Sequence, residues 1–169
     1  MLKNFDIKKY LDKKPPSDNS FTTMQEIKEL KKTPINKNFV KEKDDIARVF
    51  GKIVDERKFM QKLIDESAPL LLKIKKHHNR PRPYELDKSL KAVKMKSMDT
   101  ASYPSGHSAQ GILIGMALSD KYPSKKNKLM KIAKDISKSR NIAHAHYKSD
   151  SKFGEQIGKD MYNHIKNKI

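Results

Sequence analysis

The sequence contains no cysteine, which excludes disulfide bonds and thiolate chemistry and leaves the redox compartment open. It also lacks a long apolar run: the longest, residues 111–118, is far shorter than the ~18 residues that a membrane-spanning helix requires, so we expect no membrane insertion. Arginine is scarce beside lysine, which makes each arginine a candidate for a site that needs a planar, two-pronged donor. The arginines are Arg48, Arg57, Arg80, Arg82 and Arg140.

The formal net charge of +18 suggests an attraction for anions. Clustered basic residues would indicate nucleic-acid binding, but here the charge comes mostly from lysines spread along every segment, as on a solvated surface. We therefore predict anionic substrates and treat nucleic acid as a secondary partner. A homo-oligomer is compatible with the sequence.

The chain length of 169 residues is typical of one domain. Residues 1–20 are polar and include Pro15-Pro16, which predicts an extended arm. The remainder, residues 21–169, is predicted to form a single all-α domain, because apolar residues recur at intervals of three and four and no strand-like alternation is present.

Several helices follow from this periodicity. We predict one over about 23–32, opened by a capping box at Thr23, and one or two over 43–75, broken near Gly51 or kinked at Pro69. A nearly all-apolar helix should run from Ser105 to about Lys121 at the centre of a bundle. Two more follow, the first capped by Ser124 and the second beginning near residues 149–151. Residues 77–104 read as a long, functional loop.

The segment Tyr103-Pro104-Ser105-Gly106-His107 stands where a polar loop meets that central helix. The first N–H groups of a helix have no partner within it and attract anions, and a glycine there allows close approach to the backbone. Ser105 adds a hydroxyl, and His107 can exchange a proton near neutral pH. Alone, the segment fits a helix cap and a core histidine equally well.

Two further stretches give it meaning. Lys75 is followed after six residues by Arg82-Pro83, and Ser139-Arg140 is followed after five residues by His146 and after three more by Asp150. Together with Pro104–His107, these blocks resemble the signature of the type 2 phosphatidic acid phosphatase (PAP2) and vanadium haloperoxidase superfamily. Residues 102–107 and the Pro15-Pro16 arm resemble most the soluble bacterial class A non-specific acid phosphatases.

The resemblance implies an all-α fold and a metal-independent acid phosphatase that acts on small, soluble phosphomonoesters. It makes His146 the nucleophile that forms a phosphohistidine, Asp150 the residue that orients it, and His107 the acid for the leaving group. It assigns phosphate binding to Lys75, Arg82, Ser105, Gly106 and Arg140, with no metal or other cofactor. Vanadate should inhibit. Broad specificity would be set by the loop from Tyr84 to Tyr103.

Two alternative functions are less favoured. A vanadate-dependent haloperoxidase would use the same oxyanion cage with vanadate as cofactor, but those enzymes are generally much larger. A basic nucleic-acid-binding protein with a vestigial cage would show salt-sensitive binding and no turnover. The region Met1 to Lys14 has no apolar segment of a secretory signal, so we expect a cytoplasmic protein. That cytoplasm could be the one of a host cell, if the protein is encoded by a virus, and the alternative is that an export leader has been removed.

The other basic residues have no place in the signature. We predict that Arg80 is a loop or rim charge, and that four histidines are surface or structural residues. His144 and His146 could suggest a metal pair, but no third ligand follows at a recognisable spacing. The four histidines predicted to be surface or structural residues are His77, His78, His144 and His164.

Overall fold

A computed structural model describes residues 1–169 and confirms an all-α architecture without strands. No helix is long and apolar enough to cross a membrane. The helices are α1 (Lys8–Leu11), α2 (Phe21–Lys32), α3 (Lys37–Asp44), α4 (Ile46–Gly51), α5 (Arg57–His78), α6 (Pro83–Leu86), α7 (Gly106–Lys121), α8 (Lys126–Ile142) and α9 (Lys148–Ile165).

Helix α7 is the centre of the bundle, as its nearly continuous apolar sequence predicts, and it packs against α8 and α9. Small residues let the helices approach closely. A Cβ atom on Gly154 would lie 2.3 Å from the Ser105 carbonyl oxygen, and one on Gly158 would lie 2.3 Å from that of Ala109. Both distances are shorter than any van der Waals contact, so α9 can seat against the start of α7 only because these positions are glycine.

The region predicted as one or two helices over 43–75 is divided in two places. A first break falls at Asp45, whose side chain accepts a hydrogen bond from the Arg48 N–H and so caps α4. A second follows Gly51, as predicted, and α5 then runs to His78 with Pro69 inside it. Asn79, with a φ angle of 46°, ends α5 in the left-handed conformation and turns the chain towards the interior.

The description of residues 1–20 as an extended polar arm is wrong. Leu2 and Tyr10 belong to the main hydrophobic core, and residues 8–11 form α1. Glu66 accepts hydrogen bonds of 2.7 Å from the terminal amine and from the Leu2 N–H, and Asp160 accepts one of 2.6 Å from the Tyr10 hydroxyl. A few apolar residues and these acceptors tie the segment down despite its polar composition.

Other boundaries also differ from the predictions. Helix α2 is capped by Ser20, while the Thr23 hydroxyl donates to the Ser17 carbonyl oxygen. Ser124 caps no helix, because residues 123–125 form a 3-10 turn before α8. The 77–104 loop is shorter than predicted, since α5 extends into it and it contains α6 and a 3-10 turn at Lys96–Asp99.

Candidate active site

Ser105 is the N-cap of α7, as its position before the apolar segment predicts. Its fully buried hydroxyl oxygen accepts hydrogen bonds from the N–H of Ser108, at 3.3 Å, and from the Ser108 hydroxyl, at 2.9 Å. A Cβ atom on Gly106 would lie 3.8 Å from Cε of Lys75. The side chain of Lys75 therefore lies beside the N-terminus of α7, where unpaired N–H groups favour an anion.

His146 lies just before α9 and Asp150 in the first turn of that helix. Oδ2 of Asp150 accepts hydrogen bonds from Nδ1 of His146, at 3.1 Å, from the Tyr147 N–H, at 3.0 Å, and from the Ser102 hydroxyl. One buried carboxylate thus both caps α9 and fixes the imidazole. Because the carboxylate accepts from Nδ1, the proton of a neutral His146 resides there, and Nε2 carries the lone pair.

Arg82 is held rigidly beside that lone pair. Its guanidinium donates to the carbonyl oxygens of Ser97, Thr100 and Ala145 at 2.9, 3.0 and 3.0 Å, and its Nη1 atom lies 2.9 Å from Nε2 of His146. Only 2% of Arg82 is exposed. These carbonyls fix the plane of the guanidinium before any ligand binds, which is the preorganisation that an oxyanion site requires.

Lys75, near the end of α5, is almost completely buried, and its Nζ atom donates to the Ala101 carbonyl oxygen at 2.8 Å. Burial, and then the positive charge of Arg82, lower the pKa of Lys75 to about 7, while the charge of Asp150 raises it. An amine with this pKa carries its full positive charge only below neutral pH.

Arg140, on α8, and His107, on α7, meet at Asp44. Nη1 of Arg140 donates to Oδ1 of Asp44 at 3.0 Å, and Nε2 of His107 lies 2.9 Å from the Asp44 carbonyl oxygen and 3.4 Å from Oδ1. The hydrogen bond from His107, and then that from Arg140, lower the pKa of Asp44 to about 2 against the effect of burial. Sequence reasoning missed Asp44, because no spacing signals a partner 96 residues from Arg140.

The pKa of His146 is set by its burial and by the positive charges around it. Burial lowers its pKa well below the ordinary value, and the charges of Arg82, Lys75, Arg140 and His107 lower it further, in that order. His146 is therefore neutral over the physiological range. A neutral imidazole with a fixed Nδ1–H is the form that can attack an electrophile through Nε2.

The structure thus brings the three sequence blocks together around His146. The N-terminus of α7 is joined to the turn that carries His146 and Asp150 by the Ser105 N–H, which donates to the Asp150 carbonyl oxygen at 3.0 Å. What this assembly can do chemically is bind a tetrahedral oxyanion and attack it with an imidazole. The groups assembled are those predicted: His146, His107, Asp150, Lys75, Arg82, Ser105, Gly106 and Arg140.

The prediction that Arg80 is a rim charge is wrong. Arg80 is 2% exposed, and its Nη1 atom lies 2.8 Å from Oδ1 of Asp150. The turn at Asn79 sends the chain inward, so Arg80 and Arg82 both enter the protein. The sequence does contain one indication of a role for Arg80: arginine is rare in this lysine-rich chain, and Arg80 lies only two positions from Arg82.

The histidines outside the signature fit surface or structural positions. His77 is exposed, while Nε2 of His78 and of His144 lie 2.8 Å from the carbonyl oxygens of Tyr10 and Thr33, respectively. No three His, Asp or Glu side chains are grouped so that they could hold a metal ion. Metal independence remains a prediction.

Comparison with known proteins gives a distant relative. The chain is 29% identical over 131 residues to a non-specific acid phosphatase of Salmonella typhimurium, and the alignment covers 68% of this chain and 52% of the relative. The chain thus spans about half the length of the curated relative that it matches. No model of a protein family matches the chain.

Proposed function

We propose that this protein is an acid phosphatase of the PAP2 type, which hydrolyses small phosphomonoesters without a metal ion through a phosphohistidine at His146. The observation that carries the proposal is the arrangement of the imidazole, with Nδ1 bound to Asp150 and Nε2 2.9 Å from Nη1 of Arg82. The attacking nitrogen thus adjoins a phosphate-binding group. The distant similarity to a protein named as a non-specific acid phosphatase agrees with this function.

Phosphate binding would use charged and neutral donors together. Lys75, Arg82 and Arg140 supply positive charge, and the Ser105 hydroxyl and the Gly106 N–H supply neutral hydrogen bonds. Most of these groups are already fixed by buried contacts, so they need little reorganisation as charge develops on the three non-bridging oxygens in the transition state. Phosphate would have to compete with Asp44 for the guanidinium of Arg140.

The chemical step begins when the lone pair on Nε2 of His146 attacks phosphorus. As the P–N bond forms, the bond from phosphorus to the ester oxygen breaks, and protonated His107 gives its proton to that oxygen. Asp150 stabilises the positive charge that develops on the imidazole. Water then attacks the phosphohistidine, the P–N bond breaks, and His107 takes a proton from the water, which restores both histidines.

Broad specificity is supported by the pocket beside this site. A pocket of about 590 Å³ is formed by the loop after Arg82, and Met95 lines it while its sulfur lies 3.3 Å from Nη2 of Arg140. Its wall mixes apolar side chains with lysines, so it suits leaving groups of varied shape without selecting one by directed hydrogen bonds. The lining residues are Tyr84, Lys88, Leu90, Lys91, Ala92, Lys94, Met95, Met98 and Asp99.

The test is phosphate release from a panel of soluble phosphomonoesters between pH 4 and 8 in excess EDTA. We expect turnover of several unrelated esters, and inhibition by vanadate, which imitates five-coordinate phosphorus. Halide oxidation that depends on added vanadate, without phosphatase activity, would instead assign a haloperoxidase. Salt-sensitive nucleic-acid binding without any turnover would mean that the cage is vestigial.

A further inference from the structure

Arg80 is a buried cation with no role in the chemistry described above. Its guanidinium lies over the ring of Tyr147, with Cζ 3.7 Å from the ring centroid, and its Nη1 atom lies 2.8 Å from Oδ1 of Asp150 and 2.8 Å from the Ser149 hydroxyl oxygen. A buried charge is costly unless it is paired. The partner that Arg80 finds is the carboxylate that holds His146.

The two oxygens of Asp150 have separate partners. Oδ1 accepts from Arg80, whereas Oδ2 accepts from His146, Ser102 and the Tyr147 N–H. Arg80 therefore approaches the side of the carboxylate that the imidazole leaves free. A cation on Oδ1 fixes the rotation of the carboxylate and keeps Oδ2 available to accept from Nδ1.

Arg80 is itself fixed by contacts with α2. Its Nη2 atom donates to the Thr23 hydroxyl oxygen at 3.2 Å and lies 3.6 Å from a carboxylate oxygen of Glu26. Glu26 in turn accepts from the N–H and the hydroxyl of Ser149, at 2.8 and 2.7 Å. Charges thus alternate along Glu26, Arg80 and Asp150 up to the imidazole of His146.

We infer that Arg80 is a positioning residue for His146: its buried ion pair with Oδ1 of Asp150 keeps that carboxylate anionic and oriented, and thereby keeps the proton of the imidazole on Nδ1. This inference rests on the proposed phosphatase function, in which Nε2 must carry no proton when it attacks. Arg80 acts through Asp150 and does not contact the phosphate. A protonated Asp150 could no longer serve both as helix cap and as acceptor for Nδ1–H.

The charges around Asp150 give the sign of the effect. Burial raises the pKa of Asp150 to about 6, and Arg80 is the strongest influence that lowers it, followed by the Ser102 hydroxyl. Loss of the Arg80 charge would therefore raise this pKa further, by about 1–3 pH units, which is the usual effect of an adjacent guanidinium. The titratable and charged groups facing this carboxylate are Arg80, Lys75, Arg82, Tyr103, His146 and Tyr147, with Glu26 behind Arg80.

The experiment compares Arg80→Gln, which removes the charge, and Arg80→Lys, which keeps it, with Arg57→Gln, a matched change at an exposed arginine. In wild type at pH 7, we expect the ¹⁵N NMR signals of ¹⁵N-histidine-labelled protein to show His146 protonated on Nδ1 alone, with its signals assigned by their loss in His146→Ala. Arg80→Gln should shift protons to Nε2 and move the acid limb of the kcat profile upward by about 1–3 pH units. Arg80→Lys should restore the limb at least partly, and Arg57→Gln should change neither readout.

If Arg80→Gln keeps the wild-type tautomer of His146 and the wild-type acid limb of the kcat profile, the inference is overturned. If Arg80→Gln does not fold, by circular dichroism, Glu26→Gln carries the test. Loss of the carboxylate that holds Arg80 should weaken the pair with Asp150 and shift protons to Nε2 of His146, whereas Arg80→Lys, which keeps the charge, should not. A wild-type tautomer in Glu26→Gln would then overturn the inference. Because the NMR readout needs no turnover, an inactive wild type whose tautomer still depends on Arg80 would disprove the phosphatase proposal and leave the positioning role supported.

Discussion

Nη1 of Arg82 lies 2.9 Å from Nε2 of His146, although 64 residues separate them in the sequence. Three backbone carbonyls hold the guanidinium of Arg82 in this place. The group proposed to bind phosphate and the proposed nucleophile, His146, therefore lie side by side before substrate binds. Much of the rate enhancement in such a site comes from this fixed geometry.

Replacement of an arginine by lysine should therefore damage the site without removing charge. We predict that Arg140→Lys lowers kcat/KM about 10- to 100-fold, because a point charge cannot replace two parallel N–H donors, each worth a few kcal/mol when bound to an anion. Arg57→Lys is the control at an exposed position. Steady-state kinetics with matched circular dichroism spectra give the answer, and near-wild-type kinetics in Arg140→Lys would remove that arginine from the phosphate site.

Asp44 should support His107 as the acid. Its hydrogen bond and negative charge raise the pKa of His107 against the stronger lowering effect of burial. Asp44→Asn should therefore leave less of His107 protonated and lower kcat for glycerol 2-phosphate about tenfold. It should affect p-nitrophenyl phosphate much less, because nitrophenolate leaves without a proton. Equal losses on both substrates would contradict this role, and Asp55→Asn provides an exposed control.

The pKa of Lys75, about 7, predicts a pH dependence of anion binding. As the pH rises through this value, Lys75 loses its charge and the site loses affinity. Sulfate is a suitable probe since its own charge is constant. Calorimetric titration should show the wild-type affinity falling roughly tenfold between pH 6.5 and 8.5, while Lys75→Arg stays charged and binds more evenly. Sulfate affinity that is independent of pH in wild type would exclude this titration.

The close packing of α9 on the start of α7 predicts a stability effect. Gly154→Ala would place Cβ 2.3 Å from the Ser105 carbonyl oxygen, which cannot move without shifting the helix. We expect a loss of about 3 kcal/mol in the free energy of unfolding, the upper end for overpacking. Gly51→Ala, whose Cβ would meet nothing within 4 Å, should be neutral or stabilising by up to about 1 kcal/mol. Urea denaturation measures both, and similar values for the two variants would contradict the packing account.

Much of the candidate site could be predicted because its groups occur in short blocks. The position of Ser105 before an apolar helix, and the spacing of four positions from His146 to Asp150, each indicate a local geometry that the structure contains. Arg80 and Asp44 could not be predicted in this way. Their partners are 70 and 96 residues distant, and only the fold brings them together.

The fold class followed from periodicity, but the ends of elements did not. Ser20 and Thr23 are both residue types that suit an N-cap. Ser20 is the N-cap of α2, while the hydroxyl of Thr23 donates a hydrogen bond to the Ser17 carbonyl oxygen. The prediction of an extended arm for residues 1–20 is wrong because composition does not reveal that Leu2 and Tyr10 fit the core. Such choices depend on tertiary contacts that outweigh local preference.

The central claim is that His146 forms a covalent phosphohistidine. The most direct measurement is rapid quenching into base with a ³²P-labelled phosphomonoester, followed by peptide mapping, because a phosphohistidine survives base and is lost in acid. We predict one labelled site, His146, whose label is removed by water in a chase and is absent from His146→Ala, while His77→Ala labels as wild type does. Label on another residue, or phosphate release by His146→Ala at a wild-type rate, would contradict the account.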